Sequence, residues 1–163
     1  NDKVSIKEAY KSSETDLGEG NDRFNGGDNP DTVFGGSGND ILYGRGGDDV
    51  LFGGGGKDKM IGGQGADRFV FTKEDLDQVD TIKDFNAAEG DIIELRDILI
   101  GFDPLSDVIS DYVSYKERGK HTRVSIDRDG LENNYDSAEA IILSHTNNLD
   151  VLSLFEDSDI IIS

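Results

Sequence analysis

The sequence has no cysteine and no tryptophan, and proline occurs only twice in its 163 residues. The absence of cysteine excludes disulfide bonds, thiolate zinc sites and cysteine nucleophiles. Long hydrophobic runs are also missing. Apolar runs such as residues 141–143 and 160–162 are far shorter than the roughly 20 residues that cross a bilayer. We therefore expect neither a disulfide-stapled fold nor insertion into a membrane.

Positive charge is scarce as well, because 16 basic residues face 35 acidic ones and the formal net charge is −19. Such an anionic surface repels the phosphate backbone of nucleic acids, so we expect no nucleic-acid partner. Hydrophobic residues amount to 34%, against roughly 45–50% in ordinary globular chains. A small core in an acidic, cysteine-free chain indicates that a hard, oxygen-binding cation contributes to its stability.

Glycine, by contrast, is abundant, and its positions are periodic. Seventeen of the 21 glycines lie between residues 18 and 65, and residues 17–70 divide into six units of nine. The sixth place of every unit is an aspartate: Asp22, Asp31, Asp40, Asp49, Asp58 and Asp67. The eighth place is always apolar: Phe24, Val33, Leu42, Leu51, Met60 and Phe69. A disordered acidic linker, which is the alternative, would show no such register.

The chemistry of one unit predicts a coil. Glycines at the first, second and fourth places allow a tight turn whose carbonyl groups point inward, and the aspartate adds a carboxylate to that ring. Asn29 replaces the fourth glycine in one unit, and asparagine tolerates the left-handed backbone expected there. The last three places predict a short strand whose central residue enters the core. Two units make one coil, so turns on the same side come from units eighteen residues apart.

The oxygen-rich turns predict calcium sites, because calcium accepts six to eight mixed carboxylate and carbonyl ligands in irregular geometry, whereas magnesium prefers a hydrated octahedron. Stacking gives four complete pairs of aspartates: Asp22 with Asp40, Asp31 with Asp49, Asp40 with Asp58, and Asp49 with Asp67. Half-sites at the ends bring the expected total to about four to six ions. The carbonyl ligands are expected from Gly26, Gly35, Gly36, Gly38, Gly44, Gly46, Gly47, Gly53, Gly54, Gly56, Gly62, Gly63 and Gly65.

Residues 71–163 have a different composition and predict a capping region. Alternating patterns indicate several short strands, and residues 148–157 have the spacing of one short helix. We expect this region to close the open end of the roll by packing its apolar residues against Met60 and Phe69. Those apolar residues are Ile82, Phe85, Ile92, Leu95, Ile141 and Leu143. Residues 1–16 predict a linker or an N-terminal cap.

Three further features are assigned from single residues. Asp80 is a candidate calcium ligand at the end of the array or, equally, a turn cap. Asp84 and Asp91 are interpreted as caps of turns or strand ends, with a metal-binding role as the alternative. Residues 127–130 predict a hairpin turn, with an extra calcium site involving Asp136 as the alternative. Ninth-place residues form an outer stripe (Phe34, Phe52 and Val70), which we expect the post-repeat segment to cover; a partner molecule is the alternative.

No catalytic motif is present, since His121 and His145 lie outside any H-E-x-x-H pattern and no G-x-S-x-G occurs. The turn positions carry no Thr or Asn ladder of the kind that ice binding requires. We therefore expect a chain that is not an enzyme.

The repeat pattern G-G-x-G-x-D-x-U-x resembles the RTX nonapeptide repeat. Residues 80–85 and 90–95 are similar to the D-x-I-x-D-F and G-D-x-I-x-L motifs that follow RTX arrays in substrates of type I secretion. The resemblance implies an all-β fold in which a calcium-bound parallel β-roll precedes a β-rich cap. It also implies export by the type I secretion machinery, an extracellular or cell-surface location, and a monomer attached to a larger upstream polypeptide. An adhesin is the favoured upstream protein, and a protease, lipase or toxin is the alternative.

Overall fold

The computed structural model describes residues 3–5, 14–99, 109–129, 138–144 and 160–162. Its repeats form a parallel β-roll, in which successive strands alternate between two sheets. The strands of the roll are β1 Lys3–Ser5, β2 Glu14–Asp16, β3 Arg23–Asn25, β4 Thr32–Ser37, β5 Ile41–Gly46, β6 Val50–Gly55, β7 Lys59–Gln64 and β8 Arg68–Phe71.

The later strands extend the same two sheets. They are β9 Asp80–Ile82, β10 Ile92–Leu95, β11 Val113–Arg118, β12 His121–Ile126, β13 Ala138–Ser144 and β14 Ile160–Ile162. One sheet has the order β1-β3-β5-β7-β9-β13-β12-β11, and the other has the order β14-β10-β8-β6-β4-β2. The predicted all-β roll with a β-rich C-terminal region is therefore confirmed.

Strand register fixes the length of one coil. Phe24 pairs with Leu42, and Leu42 pairs with Met60, each eighteen residues further along. All six eighth-place side chains are fully buried and stack along the centre of the roll, as the period predicts. The strands β4 to β7 are six residues long rather than three, because backbone pairing continues through the glycines of the next unit, as between Gly36 and Gly54.

One expectation about the turns is wrong. Asn29 does not take a left-handed backbone, since among the described non-glycine residues only Arg45 and Asp97 have positive φ. Pro30 follows Asn29, and a proline confines the preceding residue to extended conformations. Among the described non-glycine residues of the repeats, the one with a left-handed backbone is Arg45, which occupies a second place with φ +82°.

The C-terminal region continues the core of the roll. Strand β9 pairs with β7 and with β13, and β10 pairs with β8. Of the six apolar residues predicted to reach the core, five are buried: Ile82, Phe85, Leu95, Ile141 and Leu143. Ile92 is a correction, because it is only half-buried and its neighbour Ile93 is buried in register with Phe69. A shift of one residue along a strand moves a side chain to the opposite face.

The outer stripe receives a partial cover from this region. Val70 is fully buried, and the Arg96 guanidinium lies 5.4 Å from the centre of the Phe52 ring. Phe34 stacks on Phe52 with ring centroids 4.4 Å apart. Buried Glu94 holds Arg96 in place, since the two side chains form an ion pair at 2.6 Å.

Helical structure is limited to short turns in the part of the chain that the structure describes. Three 3-10 turns occur, at Lys73–Asp77, Ala87–Glu89 and Ile109–Asp111. The helix predicted at residues 148–157 lies outside the described residues. Among the described residues, no helix has the length and apolarity needed to cross a membrane.

Candidate metal centre

The repeat aspartates form two ladders, one along each edge of the roll. Each backbone N–H in a ladder donates to the Oδ1 atom of the aspartate one coil later, as from Asp22 to Asp40 at 2.7 Å and from Asp31 to Asp49 at 2.7 Å. The first ladder runs Asp22, Asp40, Asp58, Asp80. The second runs Asp31, Asp49, Asp67, Asp91. All eight side chains are buried.

The second carboxylate oxygen has a different environment. The Oδ2 atoms of Asp40, Asp49 and Asp67 are buried and accept no hydrogen bond. Each of these atoms lies against the first glycine of its own unit, so that a Cβ on Gly44 or on Gly62 would come within 2.1 Å of it. A buried anionic oxygen without a donor is costly, which indicates that a cation interacts with this atom.

Burial changes the acidity of the ladder residues. It raises the pKa of Asp49 to about 8 and that of Asp67 to about 6, and neighbouring carboxylates add to the rise while a backbone N–H opposes it. The pKa of Asp40 is also raised, mainly by burial. Ionisation of these ladder carboxyl groups is therefore unfavourable unless a cation compensates for the lost contact with water.

The turn glycines follow three patterns. First-place glycines lie against the aspartate carboxylate of their own unit: Gly26, Gly35, Gly44, Gly53 and Gly62. Second- and fourth-place glycines have positive φ and lie against a backbone oxygen one coil earlier: Gly36, Gly54, Gly63, Gly38, Gly56 and Gly65. Gly47 lies against the backbone of Asn29 and Pro30, whereas a Cβ built on Gly46 makes an ordinary contact, with its nearest atom at 3.5 Å.

Asp80 takes the position of a seventh repeat aspartate in the first ladder. Its Oδ1 atom accepts the Asp58 N–H at 2.7 Å although the two residues are 22 apart instead of eighteen. Asp58, Asp75 and Asp80 are buried and offer carboxylate oxygens that all lie within 4.8 Å of one another. This arrangement of hard oxygen ligands fits a calcium ion.

Asp75 was not predicted from the sequence. Its Oδ1 atom accepts the Gly54 N–H at 2.9 Å, and its Oδ2 atom accepts the N–H and hydroxyl of Thr72 at 2.6 and 2.7 Å. Two signals were available in the sequence. Thr72 and Asp75 have capping-box spacing, and Asp75 precedes Asp80 by five residues, as Gly53 precedes Asp58.

The structure places the other single-residue candidates as follows. Asp84 accepts the N–H groups of Gly62 and Gly63, and Asp91 accepts those of Asp67 and Asn86. His121 is exposed on β12, and residues 127–129 follow that strand, which pairs antiparallel with β13. Gly130, Asp136 and His145 lie outside the described residues.

Comparison with known proteins agrees with this geometry. Two overlapping segments, residues 16–51 and 34–69, each match the family model described as the RTX calcium-binding nonapeptide repeat (4 copies). Residues 16–69 are therefore RTX repeats, which imply calcium binding and are typical of extracellular proteins exported by type I secretion. No curated protein matches the sequence.

Two solved structures share the fold. Both are solution structures from the mannuronan C5-epimerase of Azotobacter vinelandii. The AlgE6R3 subunit is 22% identical with a TM-score of 0.51, and the match covers 96% of this chain and 82% of that one. The AlgE6R2 subunit is 23% identical with a TM-score of 0.53, and the match covers 93% of this chain and 87% of that one.

Proposed function

We propose that this chain is a non-enzymatic folding and export module that calcium switches from an extended chain to a β-roll outside the cell. The observation that supports the proposal most directly is the set of buried Oδ2 atoms on Asp40, Asp49 and Asp67, which accept no hydrogen bond. Calcium ions held between successive rungs would bind these atoms together with glycine carbonyl oxygens. About four to six ions would bind, with the last ion of the first ladder at Asp58, Asp75 and Asp80.

The switch follows from charge. The net charge of −19 opposes collapse of the chain, and about five calcium ions would add about +10. Because the ligand rings exist only when the coils are stacked, the binding free energy of calcium becomes folding free energy. Calcium modules of extracellular proteins have dissociation constants of about 10⁻⁴ to 10⁻³ M. Such a chain stays unfolded at cytosolic calcium levels and folds at extracellular ones.

We further propose that the module lies at the C-terminal part of a larger exported polypeptide and is recognised by the type I secretion machinery. RTX repeats are typical of proteins that leave the cell by this route, which supports the proposal. An unfolded chain suits passage through a channel, and folding outside would prevent its return. The module itself is expected to be monomeric and to carry no catalytic group.

Two upstream proteins are candidates. The first is a surface adhesin, for which the module would act only in folding and export. The second is an exported enzyme with the module as an accessory domain, and the shared fold with subunits of a mannuronan C5-epimerase favours this second candidate. Sequencing of the coding region upstream of Asn1 separates the two, because immunoglobulin-like repeats would indicate an adhesin and a catalytic motif would indicate an enzyme.

Far-UV circular dichroism tests the calcium switch. In excess chelator at neutral pH we expect a largely disordered spectrum, and millimolar calcium should produce β-structure cooperatively. Magnesium at the same concentration and ionic strength is the control, and it should not replace calcium because its octahedral, hydrated coordination does not suit a carbonyl ring. A complete β-spectrum in excess chelator would contradict the proposal.

A further inference from the structure

We propose that Asn25-Gly26 is a self-modification site that folding protects, so that a chain kept without calcium slowly loses its ability to fold. The inference rests on the proposed calcium switch and concerns the chain before it folds. Asparagine deamidates fastest when glycine follows it, because glycine has no side chain to hinder attack by its backbone nitrogen. This dipeptide occurs once in the 163 residues, where the first repeat unit joins the second.

The reaction needs only the chain and water. The Gly26 backbone nitrogen attacks the side-chain Cγ atom of Asn25 and forms a C–N bond, and the side-chain nitrogen leaves as ammonia with the proton of the attacking group. Water then opens the five-membered succinimide ring. Opening at the side-chain carbonyl gives aspartate. Opening at the backbone carbonyl gives isoaspartate, in which the main chain runs through the side-chain carbon atoms.

The fold blocks the first step of this reaction. Asn25 ends β3, which lies between β1 and β5, and it pairs with Ser5 on one side and Tyr43 on the other. The Gly26 N–H donates to the Tyr43 carbonyl oxygen at 2.7 Å, so the attacking nitrogen is held towards the neighbouring coil. In a parallel strand ψ is about +115°, which turns the next nitrogen away from the side chain. The ring can therefore close only when β3 opens.

Isoaspartate at residue 25 would not fit the roll. It adds a carbon atom to the main chain after Phe24, which is paired with Leu42, and before Gly26, which lies against Gly44. The buried backbone there has no room for displacement, since a Cβ built on Gly26 would overlap the Gly44 oxygen and the Asp31 carboxylate. The product also adds a negative charge to a chain of net charge −19. We therefore expect the modified chain not to form its first coils in register.

Other asparagines in the repeats serve as internal controls. Asn29 precedes Pro30, whose nitrogen carries no hydrogen and cannot form the ring. Asn21 and Asn39 are exposed, and each precedes an aspartate, whose side chain hinders the attack. Deamidation confined to Asn25 would support the route through Gly26. Equal deamidation at all four residues would contradict it.

Peptide mass spectrometry of the full chain tests the protection. The chain is kept at mildly alkaline pH in excess chelator or in saturating calcium at equal ionic strength, and replacement of NH₂ by OH is followed with time. We expect Asn25 to react at least about tenfold faster in chelator, because the folded chain reacts only through transient opening. Equal rates, in a chain that circular dichroism shows to be unfolded in chelator, would overturn the inference while the calcium switch stands. A chain already folded in chelator would instead overturn the switch, and this inference with it.

Calcium added after the incubation measures the consequence for folding. The wild-type chain should lose calcium-induced β-structure in proportion to its isoaspartate content, which chromatography separates from aspartate. The matched control is Asn25→Gln, which keeps the amide but cannot form the five-membered ring, and it should regain all of its β-structure after the same incubation. If the isoaspartate form folds at an unchanged calcium midpoint, the proposal is overturned. The comparison of rates uses the wild-type chain alone, so it holds even if the variant does not fold.

Discussion

The roll and the C-terminal region use different interactions to hold their strands together. In the roll, each nine-residue unit contributes a fully buried apolar side chain at its eighth place and a buried aspartate at its sixth place. In the C-terminal region, β12 and β13 bury apolar residues at alternate or adjacent positions, among them Val124, Ile126, Ala140, Ile141 and Leu143. The C-terminal strands therefore form an ordinary apolar core, whereas the roll combines a thin apolar core with rows of desolvated charge.

This difference assigns a distinct source of stability to each region. Burial of apolar surface stabilises the C-terminal strands at any calcium concentration, by about 25 cal/mol per Å². The aspartate ladders destabilise the roll until a cation neutralises them.

The two regions also depend on each other. Strand β9 carries Asp80, the last rung of the first ladder, and Asp91 directly precedes β10 and ends the second. Phe85 packs near Phe69, the last repeat residue of the core, with ring centroids 6.2 Å apart. The C-terminal region thus completes both the core and the ladders.

Deletion of the C-terminal region should have the largest effect. A chain of residues 1–70 loses the strands that pair with β7 and β8, and it exposes Met60 and Phe69. Ordering a glycine-rich chain is entropically costly, so the remaining apolar residues are too few to start the fold. We expect this truncated chain to remain disordered in millimolar calcium or to need much more calcium than the full chain. An unchanged calcium midpoint in circular dichroism would show that the two regions fold independently.

A substitution at a turn glycine should have the next largest effect. Gly36 has φ +96°, and a Cβ on it would lie 2.0 Å from the backbone oxygen of Gly18. Gly36→Ala should therefore destabilise the calcium-bound chain by at least about 3 kcal/mol, because the coils cannot separate without breaking their pairing. Gly46→Ala is the matched control, with its nearest atom at 3.5 Å, and should cost less than about 1 kcal/mol. Equal losses in denaturant unfolding would contradict the turn geometry.

The features that the sequence predicts well are those that repeat. Six copies of one unit fix the eighteen-residue coil, the buried eighth place and the two rows of aspartates, since every copy must satisfy the same packing. Local exceptions were harder to predict. Asparagine is a residue type that tolerates a left-handed backbone, but at Asn29 the following Pro30 prevents that conformation.

Features that occur once and join distant parts of the chain were harder to predict, since Asp75 was missed and Asp84 was interpreted as a cap without its partners being identified. Asp75 and Asp84 accept N–H groups of residues 21 to 22 positions earlier, and no period links them to those glycines. The prediction that Ile92 is buried, where the structure buries Ile93, failed for a similar reason, because the register of β10 is set by its pairing with β8. Alternation alone leaves two adjacent isoleucines indistinguishable.

A smaller effect should separate the aspartates within one ladder. Asp40 lies between two rungs, since it accepts the Asp22 N–H and donates its own N–H to Asp58. Asp22 lies at the start of the repeats. Asp40→Asn should disturb two calcium sites and raise the calcium midpoint about three- to tenfold, while Asp22→Asn disturbs one and raises it less. Asparagine keeps an acceptor for the backbone N–H in both variants, so equal midpoints would argue against calcium between stacked rungs.

The smallest effect is expected from pH, and it should have opposite signs with and without calcium. Burial is the main reason that the pKa lies near 8 for Asp49, near 7 for Asp91 and near 6 for Asp67. In the unfolded chain these carboxyl groups titrate near 4. Because the folded pKa is the higher one, protonation favours folding. This stabilisation is complete below about pH 4 and is lost as the pH rises from about 6 to 8.

In excess chelator, lowering the pH from about 8.5 to about 5.5 should therefore increase the β-structure of the chain, since protons neutralise part of the ladder charge. In calcium, protons compete with the ion for the same carboxylates, but in the unfolded chain those groups titrate near 4 and are mostly ionised at both pH values, so the calcium midpoint should be at most about twofold higher at the lower pH. Circular dichroism at the two pH values measures both effects. Asp49→Asn removes the group with the highest of these pKa values and should reduce the response in chelator above pH 7. If acidification in chelator lowers the β-structure of the wild-type chain, buried ladder charge is not what opposes its folding.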